Sequence, residues 1–257
     1  MFQKVFANVP NRIKSTFRFA VLILLSIVSV PGANGQSAGF ARVSSSSNHA
    51  VSVRELQISS KARDNFQRGL ERLLKNDAEG SLKHFAAAIE AAPNYSDAFY
   101  HRGVAEAQLR RNESALSSFQ AAIDLSEGHD PRAEFGYGLI LCRMGNAIEA
   151  ERVVRHGLQT DPNAPDGHIV FAPILMKLNR VDEAERSAQQ ALLLNQPSSA
   201  KAHLILADIR GARHDFEGQE NELNEYLKSY PDTPNRKFLT TVRDAVRKLA
   251  IAASEHP

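Results

Sequence analysis

The 257-residue chain has no tryptophan, only 7% aromatic residues and a single cysteine. Scarce aromatics exclude a core built around large rings. With 43% hydrophobic residues, they leave a core of alanine and leucine, a composition that favours helices. Cys142 cannot close an internal disulfide, and the chain has no CxxC or Cys/His spacing to hold a structural zinc. It reads as a small apolar core residue rather than a nucleophile. A phosphate loop, GxSxG and HExxH are also absent. Gly136-Tyr137-Gly138 lacks the third glycine of a nucleotide pattern and falls inside a helical stretch.

A long apolar run is missing too. Phe19 to Val30, FAVLILLSIVSV, has twelve residues and as a helix reaches roughly 18 Å, short of a hydrocarbon core of about 30 Å. Lys4, Arg12, Lys14 and Arg18 precede or flank it, with no acid, and Pro31 to Gly35 supplies small residues after it. This is the layout of a secretory signal peptide over residues 1–35, with the cut expected after Ala33-Asn34-Gly35. An uncleaved signal anchor is the alternative. No cysteine closes the apolar run, which argues against a lipoprotein. The leader takes four of the 31 basic and none of the 29 acidic residues, so 27 against 29 remain, a net charge of −2. The basic balance belongs to targeting and gives no support to nucleic-acid binding. Residues 36–59 are rich in serine without a helical period and read as a flexible linker.

What the chain does have is repetition. A small residue recurs at Gly69, Gly103, Gly138, Ala172 and Ala207, at intervals of 34, 35, 34 and 35 residues. Three positions earlier stand Phe66, Tyr100, Phe135, Ile169 and Leu204. Sixteen positions later stand Phe85, Phe119, Val154, Ala188 and Leu223, followed after three more by Ala88, Ala122, Gly157, Ala191 and Tyr226. Columns in register at this period mean stacked supersecondary units. Ala184 to Leu192 carries its apolar residues on one helical stripe. A break falls midway through each unit, at Lys75-Asn76-Asp77, Arg111-Asn112, Gly145-Asn146, Asn179-Arg180 and His214-Asp215. Each unit is therefore two helices joined by a tight turn. After Pro234, Leu239, Val242, Val246, Leu249 and Ala253 form one stripe, and Arg243, Asp244, Arg247 and Lys248 lie off it. That is the pattern of a helix capping the last apolar face.

These columns resemble the tetratricopeptide repeat. So do the alanines that seat the second helix, Ala115, Ala150 and Ala184, and the closing prolines Pro93, Pro162 and Pro231. The family's first aromatic is absent: Asn65, Phe99, Glu134, His168 and His203 stand there. Ser81 and Gln219 replace the usual alanine, making the first and fifth units the weakest. The resemblance implies an all-α, right-handed α-solenoid of about five helix pairs with a C-terminal capping helix. The repeats are expected over 62–95, 96–130, 131–164, 165–199 and 200–234, and the cap over 235–254.

The resemblance also implies protein or peptide binding in a concave groove lined by the first helix of each pair. In this chain the groove residues are Tyr100, Val104 and Gln108; Phe135, Leu139 and Arg143; Ile169 and Lys177; and Leu204 and Asp208. Asp97, Arg132, Asp166 and Lys201 stand at the helix starts. Tyr100, Arg132, Arg143 and Lys177 are expected to face solvent, and Phe66 and Leu70 to be core. Tyr100 and Val104 stand where a lysine and asparagine would clamp a terminal carboxylate, so that mode of binding is not expected.

His168 and His203 share a column, with Asp166 nearby. Two histidines without a placed third ligand read as packing or capping residues, and no metal or cofactor is expected. Pro173 interrupts a first helix and implies either a kink or an exposed turn. Gly157 to His168, GLQTDPNAPDGH, concentrates Asp161, Asp166 and His168 but reads as a repeat boundary. Asn163 is expected to cap the next helix, with Pro165 and Asp166 in its first turn. The sequence reading is thus an exported, non-catalytic scaffold. The alternatives are an enzyme or a small-ligand or metal-binding protein on the same solenoid, or a self-assembling envelope component.

Overall fold

The structure is a computed structural model that describes residues 58–255. The expected signal peptide and nearly all of the linker lie outside these residues. Ile58 and Ser59, at the linker's end, belong to the folded part: Ile58 is buried against Ala62 and Ala92, and the Ser59 hydroxyl accepts a hydrogen bond from the Ala62 N–H at 3.2 Å. Among the described residues no helix is long and apolar enough to cross a membrane.

The described residues form two compact units, 58–200 and 201–255. The first holds four helix pairs: α1 Ser60–Leu74 with α2 Ala78–Ala91, α3 Ser96–Gln108 with α4 Asn112–Ser126, α5 Pro131–Arg143 with α6 Ala147–Thr160, and α7 Pro165–Lys177 with α8 Val181–Leu193. A 3₁₀ turn, Ser199–Lys201, leads into the second unit, which holds the pair α9 Ala202–Ala212 and α10 Phe216–Ser229, then α11 Arg236–Glu255. Each helix packs on its partner, and within the first unit each pair packs on the next, with α1 on α3, α3 on α5 and α5 on α7. This is the packing of an α-solenoid.

The turn inside each pair has one chemistry. Asn76, Arg110, Gly145, Asn179 and His214 are left-handed, with φ of 58°, 60°, 96°, 60° and 60°. The following N–H donates back to a carbonyl five residues earlier at 2.9 Å in every case, as from Arg111 to Glu106 and from Asn146 to Leu141. This Schellman closure satisfies carbonyls that the helix end leaves without partners. Helix starts are less uniform. Asp77, Asp130 and Asp215 cap α2, α5 and α10 with their carboxylates. Before α7 the capping residue is Ala164, without a side-chain bond, and Asp161 instead accepts from the Asn163 N–H at 3.1 Å. The expectation that Asn163 caps this helix is therefore corrected; Asp161 organises the turn, and Pro165 opens the helix.

The small-residue columns seat the helices. A Cβ added at Gly69 would stand 2.5 Å from the Phe85 ring, and one at Gly103 2.9 Å from Phe119. Ala115, Ala150 and Ala184 are fully buried. Pro173 is also buried, inside an unbroken α7, which removes the exposed-turn reading. In the second unit, Leu239 and Val246 of α11 are buried against Leu223, Tyr226 and Leu227 of α10. The Arg247 guanidinium reaches Glu220 at 2.6 Å.

Candidate partner-binding face

The residues expected in the groove divide according to what they already hold. Phe135 is core: it is 4% exposed, and its ring lies where a Cβ on Gly157 or Gly167 would meet it at 2.7 and 2.5 Å. Its place in the groove is corrected. The two glycines that bracket the GLQTDPNAPDGH stretch make room for this ring. Leu139 and Leu204 are buried as well, whereas Val104 and Ile169 are partly buried.

At the helix starts, Arg132 is exposed and binds Asp97 of the preceding first helix at 2.8 Å and Asp130 at 2.7 Å. Its guanidinium also lies 5.0 Å from the centre of the Tyr100 ring. Burial opposes its charge, but the bonds to Asp130 and the field of Asp97 hold its pKa above the usual value. Tyr100 is half-buried rather than solvent-facing, with its ring 5.9 Å from Phe119. Burial, and then the charges of Asp166, Asp130 and Asp97, push its hydroxyl up against the opposing pull of Arg132. Asp97, Arg132 and Asp166 are therefore a charged rim around Tyr100. Asp130 was missed in the sequence, although an aspartate before a proline at a helix start signals a cap.

At the opposite ends of the first helices, Arg143 donates to the Ala107 carbonyl at 3.0 Å and Lys177 to the Cys142 carbonyl at 2.6 Å. Both residues sit in one column, and both close the helix of the preceding pair. Cations are favoured at that terminus. Lys177 is exposed; Arg143 is half-buried, against expectation, and burial, then the like charge of Arg110, push its pKa down to about 10. In the same column, at the end of α3, Gln108 is partly buried, and its Nε2 is shut off from solvent without a hydrogen-bond partner. In the second unit Asp208 is partly buried, with Oδ2 likewise without a partner.

The histidines hold local contacts. The His168 ring lies 3.3 Å from the Ser187 hydroxyl and 3.0 Å from the Pro162 carbonyl, and His203 lies 2.7 Å from Glu222. Glu134, in the same column, is 4% exposed and 2.7 Å from His156. Burial raises its pKa, and the histidine opposes that rise. Among the described residues no group of three or more metal-ligating side chains stands together. Burial also pushes up the Cys142 thiol.

The tetratricopeptide-repeat family model matches residues 66–130 and 169–234, more than half of the chain. The chain belongs to the tetratricopeptide-repeat family. The solved structures agree on the fold. A thermophilic tetratricopeptide-repeat protein of Thermus thermophilus is 17% identical with a TM-score of 0.63, over 72% of this chain and 98% of that one. PilW, a type IV pilus biogenesis factor, is 17% identical with a TM-score of 0.63, over 77% and 90%. A chain of the APC/C hetero-tetramer Cut9–Hcn1 is 17% identical with a TM-score of 0.66, over 72% of this chain and 36% of that one. A search of curated protein sequences finds no match. Tetratricopeptide-repeat proteins bind protein or peptide partners, and the chain is a helical repeat scaffold of that type.

Proposed function

We propose that this tetratricopeptide-repeat protein is an exported, non-catalytic scaffold that captures a protein or peptide partner on its first helices. The reading is carried by the adjacency of α1, α3, α5 and α7. The helix that carries Tyr100, Val104 and Gln108 thus lies beside the helix of Arg143, and that one beside the helix of Ile169 and Lys177. Of these, Gln108 is the most informative, because among the described residues its side chain makes no hydrogen bond that a substitution would break, its Nε2 being buried without a partner. Arg132, Arg143 and Lys177 already hold inter-repeat bonds, so substituting them would disturb the stack as well as the face. Export is supported by the basic, apolar and small-residue leader over residues 1–35. An aromatic and aliphatic strip with charged ends suits an extended or helical peptide.

The test uses Gln108→Arg. The wild-type chain recovered from its native envelope should retain a protein partner, and the variant should lose at least about tenfold of that capture. The thermal midpoint should stay within about 2 °C, since no hydrogen bond is lost. Equal capture by the two proteins would remove the face from consideration.

A further inference from the structure

Asp208 is a carboxylate without an answering group. It occupies the column held by Leu70, Val104, Leu139 and Pro173 in the earlier repeats. Its Oδ2 is shut off from solvent and has no hydrogen-bond partner, and among the described residues no donor reaches Oδ1. The residue is only partly buried, so Oδ1 is its open side. The neighbouring charges of its unit are engaged elsewhere. His203 of α9 faces Glu222 of α10 at 2.7 Å, Arg210 faces Asp215 at 3.6 Å, and Glu220 faces Arg247 of α11 at 2.6 Å. None of them bears on Asp208, whose carboxyl is pushed up to about 7 by burial alone. An acid at an apolar position with no donor weakens the fold.

We infer that Asp208 is the acceptor for a cationic side chain, lysine or arginine, of a partner bound at α9 of the second unit. The inference rests on the scaffold reading above and names its chemistry. A metal ion would require further ligands beside this carboxylate, and among the described residues no such group stands together. A neutral donor would favour the carboxylate less strongly than a cation, whose charge adds to the hydrogen bond. A cation reaching Oδ1 favours the ionised form, and the displaced proton passes to solvent. Affinity should therefore rise with pH through the titration of this group.

The test is a selection of random-sequence linear peptides on the full chain at pH 8, followed by titration calorimetry of one selected peptide. The wild type should select peptides sharing a lysine or arginine at one fixed position. Replacing that residue by methionine, or Asp208 by asparagine, should weaken binding by about 10- to 100-fold. With the carboxyl at about 7, wild-type binding should be about tenfold weaker at pH 6 than at pH 8. The Asp208→Asn variant should show no such dependence, and its thermal midpoint at pH 8 should not fall, because a buried charge has been removed. Peptides that bind the wild type without a fixed basic residue, or equally to the variant, overturn the inference and leave the scaffold reading standing. A wild type that selects no peptide overturns both.

Discussion

At the scale of single residues, the distance between paired helices is set by which atom is missing. Gly69 faces Phe85, Gly103 faces Phe119 and Gly138 faces Val154. Where the column holds Ala172 and Ala207, the facing positions hold Ala188 and Leu223. The fifth pair exchanges these roles at another level. Gln219 stands in the column of Ala115, Ala150 and Ala184, is 5% exposed, and is accommodated by Gly211, where a Cβ would lie 2.6 Å from its Nε2. Gly211→Ala gains about 1 kcal/mol of helix propensity but overpacks by about 1–3 kcal/mol, so it should destabilise the chain modestly. In a Gln219→Ala background the clash is gone, and the same change should become neutral or stabilising. Denaturant midpoints for the four proteins of this cycle should show a coupling of at least about 1 kcal/mol; additive effects would contradict the contact. The substitution at Gln219 was visible in the sequence as a departure from the repeat. Its compensation by Gly211 was not, because the two residues meet only across the helix pair.

At the scale of elements, the five Schellman turns recur at the period of the repeat itself, with Asn76, Arg110, Gly145, Asn179 and His214 left-handed. Arg110 is the least suited of these to that conformation, since a left-handed backbone costs an ordinary side chain about 1–2 kcal/mol. It also adds like charge beside Arg143. Arg110→Gly should therefore raise stability by about 1 kcal/mol, read as a higher denaturant midpoint with an unchanged slope; an unchanged or lower midpoint would contradict the turn argument. Sequence reading locates a break in every pair but puts the second at Arg111-Asn112, one residue past the left-handed position. Asparagine and glycine announce such a turn in composition, whereas an arginine does not. The start of α7 illustrates the same limit of local pattern, because both Asp161 and Asn163 can make a turn bond and only the backbone path chooses Asp161.

At the scale of the whole molecule, the leader and the repeats make separate claims. If residues 1–35 act as a cleaved signal peptide, N-terminal sequencing of the chain recovered outside the cytoplasm should begin at Gln36; an intact Met1 in a membrane fraction would favour the anchor instead. Fold class, the pairing of helices and the capping pattern of the last helix follow from the sequence alone, because a period of 34 or 35 residues and an apolar stripe leave no other way to bury the small-residue columns. The tertiary structure decided what each groove candidate does. It took Phe135 into the core between Gly157 and Gly167, gave Arg132 to Asp97 and Asp130, and set Arg143 and Lys177 on the carbonyls of preceding helices. It left Gln108 Nε2 and Asp208 Oδ2 without partners. Periodicity assigns a residue to a column, but whether its polar atoms are satisfied depends on the neighbouring helix, which lies about 35 residues away in the chain and in contact in space.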